Sequence, residues 1–199
     1  ITVGNSRLTN SSSVTVASGA TLTVGGNETL NRIFNSGTIV NNGVITSGLA
    51  TATSLDSVVS GSGAFIKEGA GTLTLNASTT YAAGTTINAG TLLLGAADRL
   101  LDAGLLTIDT GGTFDLGGFS ETVGAVTLTN GTIANGTLTG TGYAVRAGTV
   151  SGILAGTGIA VTKTTSGTVT FSGSNTYSGA TTVSAGTLAT TGDERIADV

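Results

Sequence analysis

One long segment of this 199-residue chain occurs twice. The stretch GTLTLNASTTYAAGTTINAGTLLLGA, residues 71–96, returns as GTVTFSGSNTYSGATTVSAGTLATTG at residues 167–192. A shorter segment occurs three times, as GNSRLTN at 4–10, AADRLLD at 96–102 and GDERIAD at 192–198. Long internal repeats are typical of a solenoid or an array, in which each unit packs on its neighbours, rather than of a closed globule.

The short segment marks the same point in each unit, at Arg7, Arg99 and Arg195. We therefore expect one continuous segment over 1–199, divided into repeats at 1–92 and 93–188 and the start of a third repeat at 189–199. The chain begins at Ile1 without an initiator Met or a signal peptide, which predicts that it is an interior fragment of a longer protein.

Composition excludes several classes of protein. Charged residues make up 9% of the chain and hydrophobic residues 39%, whereas disordered segments combine low hydrophobicity with high charge. The formal net charge is −4 and the basic residues form no stripe, so nucleic acid is not an expected partner. Thr, Ser, Gly or Asn interrupts every apolar run well before the roughly 20 residues of a membrane-spanning helix. The chain has no Cys, which excludes disulfides and thiolate metal sites.

The pattern of side chains predicts an all-β protein. Apolar residues alternate with Thr or Asp in short runs such as Val14-Thr15-Val16, Leu73-Thr74-Leu75 and Val169-Thr170-Phe171. Alternation of period two places the apolar side chains on one face of a strand and the hydroxyls on the other. Ser-Gly, Asn-Gly and Gly-Gly pairs between the runs are turn formers. The segment 96–103 is the best candidate for a helical turn, although its counterparts are more typical of a loop.

The spacing of the apolar residues favours a coil. Ile33, Ile39 and Ile45 recur every six residues, and Leu128, Ile133 and Leu138 every five. In a parallel β-helix each short strand contributes one or two inward residues before the chain bends. With coils of roughly 20 to 25 residues, each repeat would hold about four coils and the chain about nine, in a rod roughly 40 Å long. A hairpin-based sandwich also has short strands and Gly-rich turns, so it stays open as the alternative.

The stretch GSGAFIKEGAGTLTLNASTTYAAGTTINAGTLLLG at 61–95 and its counterpart at 156–188 share a Lys, a Gly-Thr-Leu/Val run, a Tyr turn and an Ala-Gly-Thr-Leu ending. This pattern resembles the passenger-associated transport repeat of bacterial autotransporters, also called the autotransporter-associated β-strand repeat. One copy departs from the pattern, since Ser78-Thr79-Thr80-Tyr81 replaces the Asn175-Thr176-Tyr177 of the other, and the role of the Asn is left open.

The resemblance implies a right-handed parallel β-helix in the passenger domain of a type V secreted protein. Such a passenger crosses the outer membrane through its own C-terminal barrel, which lies outside this chain, and reaches the bacterial cell surface or the extracellular space. It stays attached to the outer membrane or is released.

We expect no enzyme activity. One acidic constellation stands out, at Asp98, Arg99 and Asp102, and it recurs at Asp193, Glu194, Arg195 and Asp198. A repeated constellation favours a structural turn or a surface salt bridge over a unique active site, with a weak calcium site as the alternative. Ser-His-Asp and Cys-His chemistry is excluded within the chain because His and Cys are absent. The expected catalytic, cofactor-binding and metal-binding residues are therefore none, and no cofactor is expected.

The aromatic residues and the recurring lysines have structural interpretations. Tyr81 and Tyr177 are expected to cover the end of a coil, with a stacking platform for sugars as the alternative. Lys67 and Lys163 are expected to be solvated or to cap a strand edge. The aromatic residues expected to fill the core are Phe34, Phe65, Phe114 and Phe171, with Phe119 as the weakest candidate.

Two functions fit these features. The first is a stalk or scaffold that aids export and displays another activity away from the cell. The second is an adhesin that binds host or neighbouring cells through the rod surface, with 48–60 and 141–155 as the candidate loops departing from the repeat. Because open coil ends expose unpaired strand edges, the isolated fragment is also expected to associate end to end.

Overall fold

The computed structural model describes residues 1–4, 8, 14–30, 33–191 and 196, and for residues 33–35 it describes the backbone alone. The described residues form short strands and no helix. In chain order the strands are β1 Thr2–Val3, β2 Val14–Val16, β3 Thr21–Val24, β4 Asn27–Leu30, β5 Ile33–Asn35, β6 Thr38–Asn41, β7 Val44–Ser47, β8 Thr53–Leu55, β9 Val59–Gly61, β10 Ala64–Lys67, β11 Thr72–Leu75, β12 Thr80–Tyr81, β13 Thr85–Ile87, β14 Gly90–Leu94, β15 Leu106–Ile108, β16 Gly112–Asp115, β17 Ser120–Thr122, β18 Ala125–Leu128, β19 Gly131–Ala134, β20 Thr137–Thr139, β21 Gly142–Val145, β22 Gly148–Val150, β23 Ile153–Ala155, β24 Val161–Lys163, β25 Thr168–Phe171, β26 Thr181–Val183 and β27 Thr187–Thr190.

Successive strands along the chain enter different sheets, so the chain winds as a solenoid with three faces. The first face is a nine-stranded sheet, in the order β26-β24-β21-β18-β15-β13-β10-β7-β4. The second face is an eight-stranded sheet, β27-β25-β22-β19-β16-β14-β11-β8, and β5 of the two-stranded sheet β2-β5 contacts its end at β8. The third face consists of a five-stranded sheet, β1-β3-β6-β9-β12, and a three-stranded sheet, β17-β20-β23.

Every strand pair among the described residues is parallel, which confirms the predicted β-helix and excludes the hairpin-based sandwich. The nine strands of the first face correspond to the predicted nine coils. The right-handed sense of winding stays a prediction. The described residues include no helix with the length and apolarity to span a membrane.

Coil length varies along the chain, and only the longer coils reach the predicted 20 to 25 residues. Val126 pairs with Tyr143, 17 residues further on, and Leu92 pairs with Phe114, 22 residues further on. Short coils result from tight corners, as between β18 and β19, where two residues separate the strands. The span 93–188 therefore contributes five strands to the first face, β15, β18, β21, β24 and β26, where about four coils were predicted.

The period-two alternation decides what is buried. On the first face the inward column includes Ile87, Ile108 and Leu128, which are in register and fully buried. The outward column beside it includes Thr86 and Thr107, which are partly exposed. Since coils stack at about 4.8 Å, each apolar side chain packs on the equivalent side chain of the next coil, and the core is a column along the rod.

The third face is interrupted at one corner, the segment 95–104. This segment contains no strand and no helix and lies between β14 and β15, so of the two interpretations of 96–103 the structure has the loop. The two predicted departures, 48–60 and 141–155, are instead regular parts of the coils, containing β8 and β9 and β21 to β23. Both segments contribute inward apolar side chains to the core, such as Leu55 and Leu154.

Candidate functional site

The two recurring lysines are buried in the core. Lys67 and Lys163 have no exposed surface, so the expectation of solvated side chains is wrong. In β10 the alternation Ala-Phe-Ile-Lys places Phe65 and Lys67 inward, and in β24 Lys163 occupies the inward position in the same way. The strand pattern therefore overrides the ordinary preference of lysine for water.

Each lysine ammonium binds the backbone of two successive coils. Lys67 Nζ donates to the carbonyl oxygen of Gly69 in its own coil and to that of Ala89 in the next, at 3.1 Å. Lys163 Nζ repeats the arrangement with Thr165 and with Ala185, at 3.2 Å. Burial lowers the pKa of Lys67. The lysine thus supplies hydrogen-bond donors to corner carbonyls and ties neighbouring coils together.

The recurring tyrosines also lie inside the solenoid. Tyr81 and Tyr177 are buried, which rules out the sugar-stacking platform, because no external ligand can reach their rings. The Tyr81 hydroxyl lies 2.8 Å from Thr85 Oγ1, and the Tyr177 hydroxyl lies 2.7 Å from Thr181 Oγ1. The Tyr81 ring stacks on Phe65 with centroids 5.9 Å apart. Burial raises the pKa of Tyr81 to about 12, so the phenol stays neutral.

We expect Thr85→Val to lower the free energy of unfolding by about 1–2 kcal/mol, because a buried hydroxyl partner of Tyr81 is removed while the volume is kept. Thr86→Val, at the adjacent outward position, is the matched control and should change stability by less than about 0.5 kcal/mol. Urea unfolding followed by circular dichroism measures both. The double variant Tyr81→Phe with Thr85→Val should lose less than the sum of the single changes, and strict additivity would show that the two hydroxyls are not coupled.

A buried glutamate holds the corner segment 95–104. The Glu121 side chain, in β17, is only 1% exposed and accepts hydrogen bonds from the backbone N–H groups of Arg99, at 2.8 Å, and Leu100, at 3.2 Å. Glu28 accepts a hydrogen bond from the N–H of Leu8 at 2.8 Å, which is the corresponding contact in the first repeat. Burial raises the pKa of Glu121 to about 7 against the opposing effect of these N–H donors.

Within the acidic constellation of the corner, the Arg99 side chain binds the backbone of two coils. Asp98 and Asp102 are exposed, and the Arg99 guanidinium donates to the carbonyl oxygens of Ala97 and Asn76, both at 2.8 Å. The predicted structural turn is therefore found at this corner. Within the described part of the chain, no group of three or more acidic side chains is arranged to hold a metal ion. The recurring positions Asp193, Glu194, Arg195 and Asp198 lie outside the described residues.

The remaining sequence interpretations have mixed outcomes. Phe65, Phe114 and Phe171 fill the core as predicted, whereas Phe119 is 38% exposed. The side chain of Phe34 lies outside the described residues. Asn175, whose role was left open, accepts a hydrogen bond through Oδ1 from the N–H of Leu154 at 2.9 Å and so braces the preceding coil.

The depressions of the rod surface are apolar. A depression of about 340 Å³ lies at the N-terminal end and is lined by residues such as Val3, Val16 and Leu22. A shallower groove of about 270 Å³ runs over Ala125, Gly142 and other small residues of the first face. The buried polar groups Lys67, Tyr81 and Glu121 line neither depression. These buried polar groups donate and accept hydrogen bonds that hold neighbouring coils together.

Comparison with known proteins supports this structural interpretation. The family model described as passenger-associated-transport-repeat matches residues 65–94 and 161–189, which together make up under a third of the chain. No curated protein and no solved structure matches the chain. The two matches contain the buried residues Lys67 and Lys163 and the buried residues Tyr81 and Tyr177, whereas the buried Glu121 lies outside both matches. The predicted recognition is thus confirmed: the chain carries two passenger-associated-transport-repeats, consistent with an autotransporter passenger, wound on one β-solenoid.

Proposed function

We propose that the chain is a structural stalk or scaffold segment of a secreted autotransporter passenger, which aids export and displays other activities at the bacterial surface. The observation that carries this proposal is the inward placement of the groups that recur with the repeat. Lys67, Tyr81 and Glu121 are buried and contact the chain's own backbone or side chains. The polar chemistry of the repeat is therefore used for stacking coils.

The repeats and the solenoid fit a passenger segment, and the repeat family implies a secreted or surface location in general. The proposed partner of the rod is a C-terminal outer-membrane barrel of the same protein. The proposed location is the bacterial cell surface or the extracellular space, with the rod either attached to the outer membrane or released. Coil stacking supports the export role, since a solenoid can nucleate at one end and propagate through neighbour contacts.

The alternative is an adhesin segment that binds host or neighbouring cells through the rod surface. Two exposed apolar side chains suggest where the cell-binding surface of such an adhesin would lie. Leu105 is 58% exposed and directly follows the corner segment 95–104, and Phe119 is 38% exposed and directly precedes strand β17.

The experiment that separates the two functions deletes residues 93–188 in the full-length reading frame and joins Leu92 to Ala189. Leu92 lies in β14 and Ala189 in β27, both on the second face, so the junction continues one strand in register. The deletion removes five strands of the first face and should shorten the rod by about 24 Å, at about 4.8 Å for each coil. Surface-displayed molecules and cell adhesion per displayed molecule are counted.

We expect reduced display with unchanged adhesion per displayed molecule, because the deleted span serves stacking and export. Normal display with lost adhesion would overturn the stalk proposal and assign the binding surface to 93–188. The matched control is the pair Leu105→Ser with Phe119→Ser, which leaves the solenoid length unchanged and should affect adhesion only if these exposed side chains bind cells.

We also propose that the isolated segment associates end to end. The terminal strands β26 and β27 each have one edge without a described partner strand, and an unpaired edge is a template for pairing with another chain. Sedimentation at increasing concentration should show growing assemblies. A monomer over the whole concentration range would contradict the proposal.

A further inference from the structure

One coil of the solenoid carries two hydroxyl side chains at inward positions. Ser47 is the last residue of β7, on the first face, and Thr53 is the first residue of β8, on the second face. Ser47 is in register with the buried Leu30 of the coil below. Thr53 is in register with the buried Leu73 of the coil above. The strand register therefore turns two polar side chains toward the core, from two faces of the same coil.

These two hydroxyls have no partner within the described part of the chain. Ser47 is only 3% exposed, and neither Ser47 Oγ nor Thr53 Oγ1 makes a hydrogen bond to another described residue. The hydroxyl of Ser54, which lies between them on the outward side of β8, donates to Asp56 at 2.8 Å. A buried hydroxyl without a partner has a desolvation cost, and buried polar groups in native proteins are nearly always paired with protein or with ordered water.

Both side chains line the same cavity. Its volume is about 10 Å³, and its other walls are formed by Leu30, Leu49, Ser54, Leu55, Phe65 and Leu73. A cavity of roughly 10–15 Å³ is the smallest that holds a water molecule, and an internal water needs two to four polar partners. The size of the cavity and the two hydroxyls on its wall therefore fit a single water molecule.

The corresponding coil of the second repeat lacks this pair of hydroxyls. Strand β21 pairs with the lysine strand β24 as β7 pairs with the lysine strand β10, and it ends in the buried Val145 where β7 ends in Ser47. Strand β22 begins with Gly148 where β8 begins with Thr53. The hydroxyl pair is therefore specific to the coil of β7 and β8 and is not a general feature of the repeat.

We propose that the cavity between β7 and β8 binds one internal water molecule, which bridges the hydroxyls of Ser47 and Thr53. A water molecule can accept a hydrogen bond from each hydroxyl, and a water-mediated hydrogen bond is nearly as favourable in enthalpy as a direct one. The bridge offsets the desolvation of both hydroxyls. It joins the first and second faces within one coil, whereas the Lys67 ammonium of the next coil joins one coil to another.

Magnetic relaxation dispersion of water oxygen, recorded on the whole chain, tests the proposal. It counts the water molecules that stay bound for longer than the tumbling time of the protein. The double variant Ser47→Val with Thr53→Val removes both hydroxyls and adds one methyl group in the space of the water. We expect the amplitude of the dispersion to fall by the contribution of one water molecule. Thr46→Val, at the adjacent outward position of β7, is the matched control and should leave the amplitude unchanged.

Ser47→Ala is a second variant, which adds no volume to the core. It leaves the bridging water with one hydroxyl partner, fewer than an internal water needs, so the amplitude should fall here as well. Val145→Ala, in the second repeat, opens space without a hydroxyl and should add no long-lived water, because an apolar cavity stays dry. Circular dichroism and urea unfolding identify the variants that fold. Retention of the full amplitude by a folded double variant, or by folded Ser47→Ala, would overturn the proposal.

Discussion

We expect Gly69→Ala to be the most damaging conservative substitution in the first transport repeat. A Cβ at position 69 would lie well inside van der Waals contact of the carbonyl carbon and oxygen of Leu49, in the coil below. Backbone atoms at a corner cannot rotate away as a side chain can, so the two coils would have to separate. The loss should exceed about 4 kcal/mol, the range reached by severe overpacking and lost backbone hydrogen bonds. The midpoint of urea unfolding measures it.

Gly142→Ala is the matched control. Gly142 begins β21, and a Cβ at this position has no atom within 4 Å. Alanine there should change stability by no more than about 0.5 kcal/mol. Equal effects of the two substitutions would show that the close approach of coils at the corner is not the reason for glycine at position 69. Similar stability of Gly69→Ala and the unmodified chain would show that the corner at 68–71 yields at little cost.

The architecture was predictable because its signals are local. Alternation in Leu73-Thr74-Leu75 decides which side chains are buried within one strand, and the structure buries both leucines and leaves Thr74 partly exposed. Repetition along the chain then implies that each strand stacks on its equivalent. Neither inference needs knowledge of distant contacts, which is why nine coils and an all-β fold could be predicted.

Coil length and face were not predictable from the repeat. Val14–Val16 and Leu106–Ile108 match in sequence, yet the first lies in the two-stranded sheet and the second in the nine-stranded sheet. Glu28 and Glu121 likewise lie on different faces. The three faces present similar inward apolar columns, so a strand fits any of them. The face is decided by how many residues the preceding corners use, which the alternation does not encode.

The burial of these polar groups is not predicted by residue type, because the usual preference of a residue for water ignores its inward or outward position in the strand. Because a lysine is rarely buried, residue type predicts a solvated or edge-capping side chain for Lys67. The signal that could have found it was its place two residues after Phe65, on the inward side of the same strand. The sequence predicts that Tyr81 covers the end of a coil and does not reveal its hydroxyl partner, since Thr85 lies four residues away across a corner whose geometry the sequence does not specify.

The second large effect is expected at this lysine. Lys67→Ala removes a fully buried side chain and the ammonium that donates to Gly69 and Ala89. The substitution leaves a cavity in the core, and it removes the hydrogen-bond donor of two backbone carbonyl groups. Both effects lower the stability of the fold. Together they should lower the free energy of unfolding by about 3–5 kcal/mol, measured by urea unfolding with an unchanged dependence on denaturant.

Lys67→Met separates packing from hydrogen bonding, because methionine fills much of the same volume without a donor and without a charge to bury. Burial already lowers the pKa of Lys67, so the charged form has a desolvation cost that methionine avoids. We expect a loss of about 1–3 kcal/mol, smaller than for alanine, since the carbonyls are still left without the ammonium. Glu68→Ala, at the adjacent exposed position, should stay within about 0.5 kcal/mol of the unmodified chain.

A methionine variant as stable as the unmodified chain would mean that the lysine contributes volume alone. Its recurrence at position 163 would then have no explanation in the hydrogen bonds that tie the coils together.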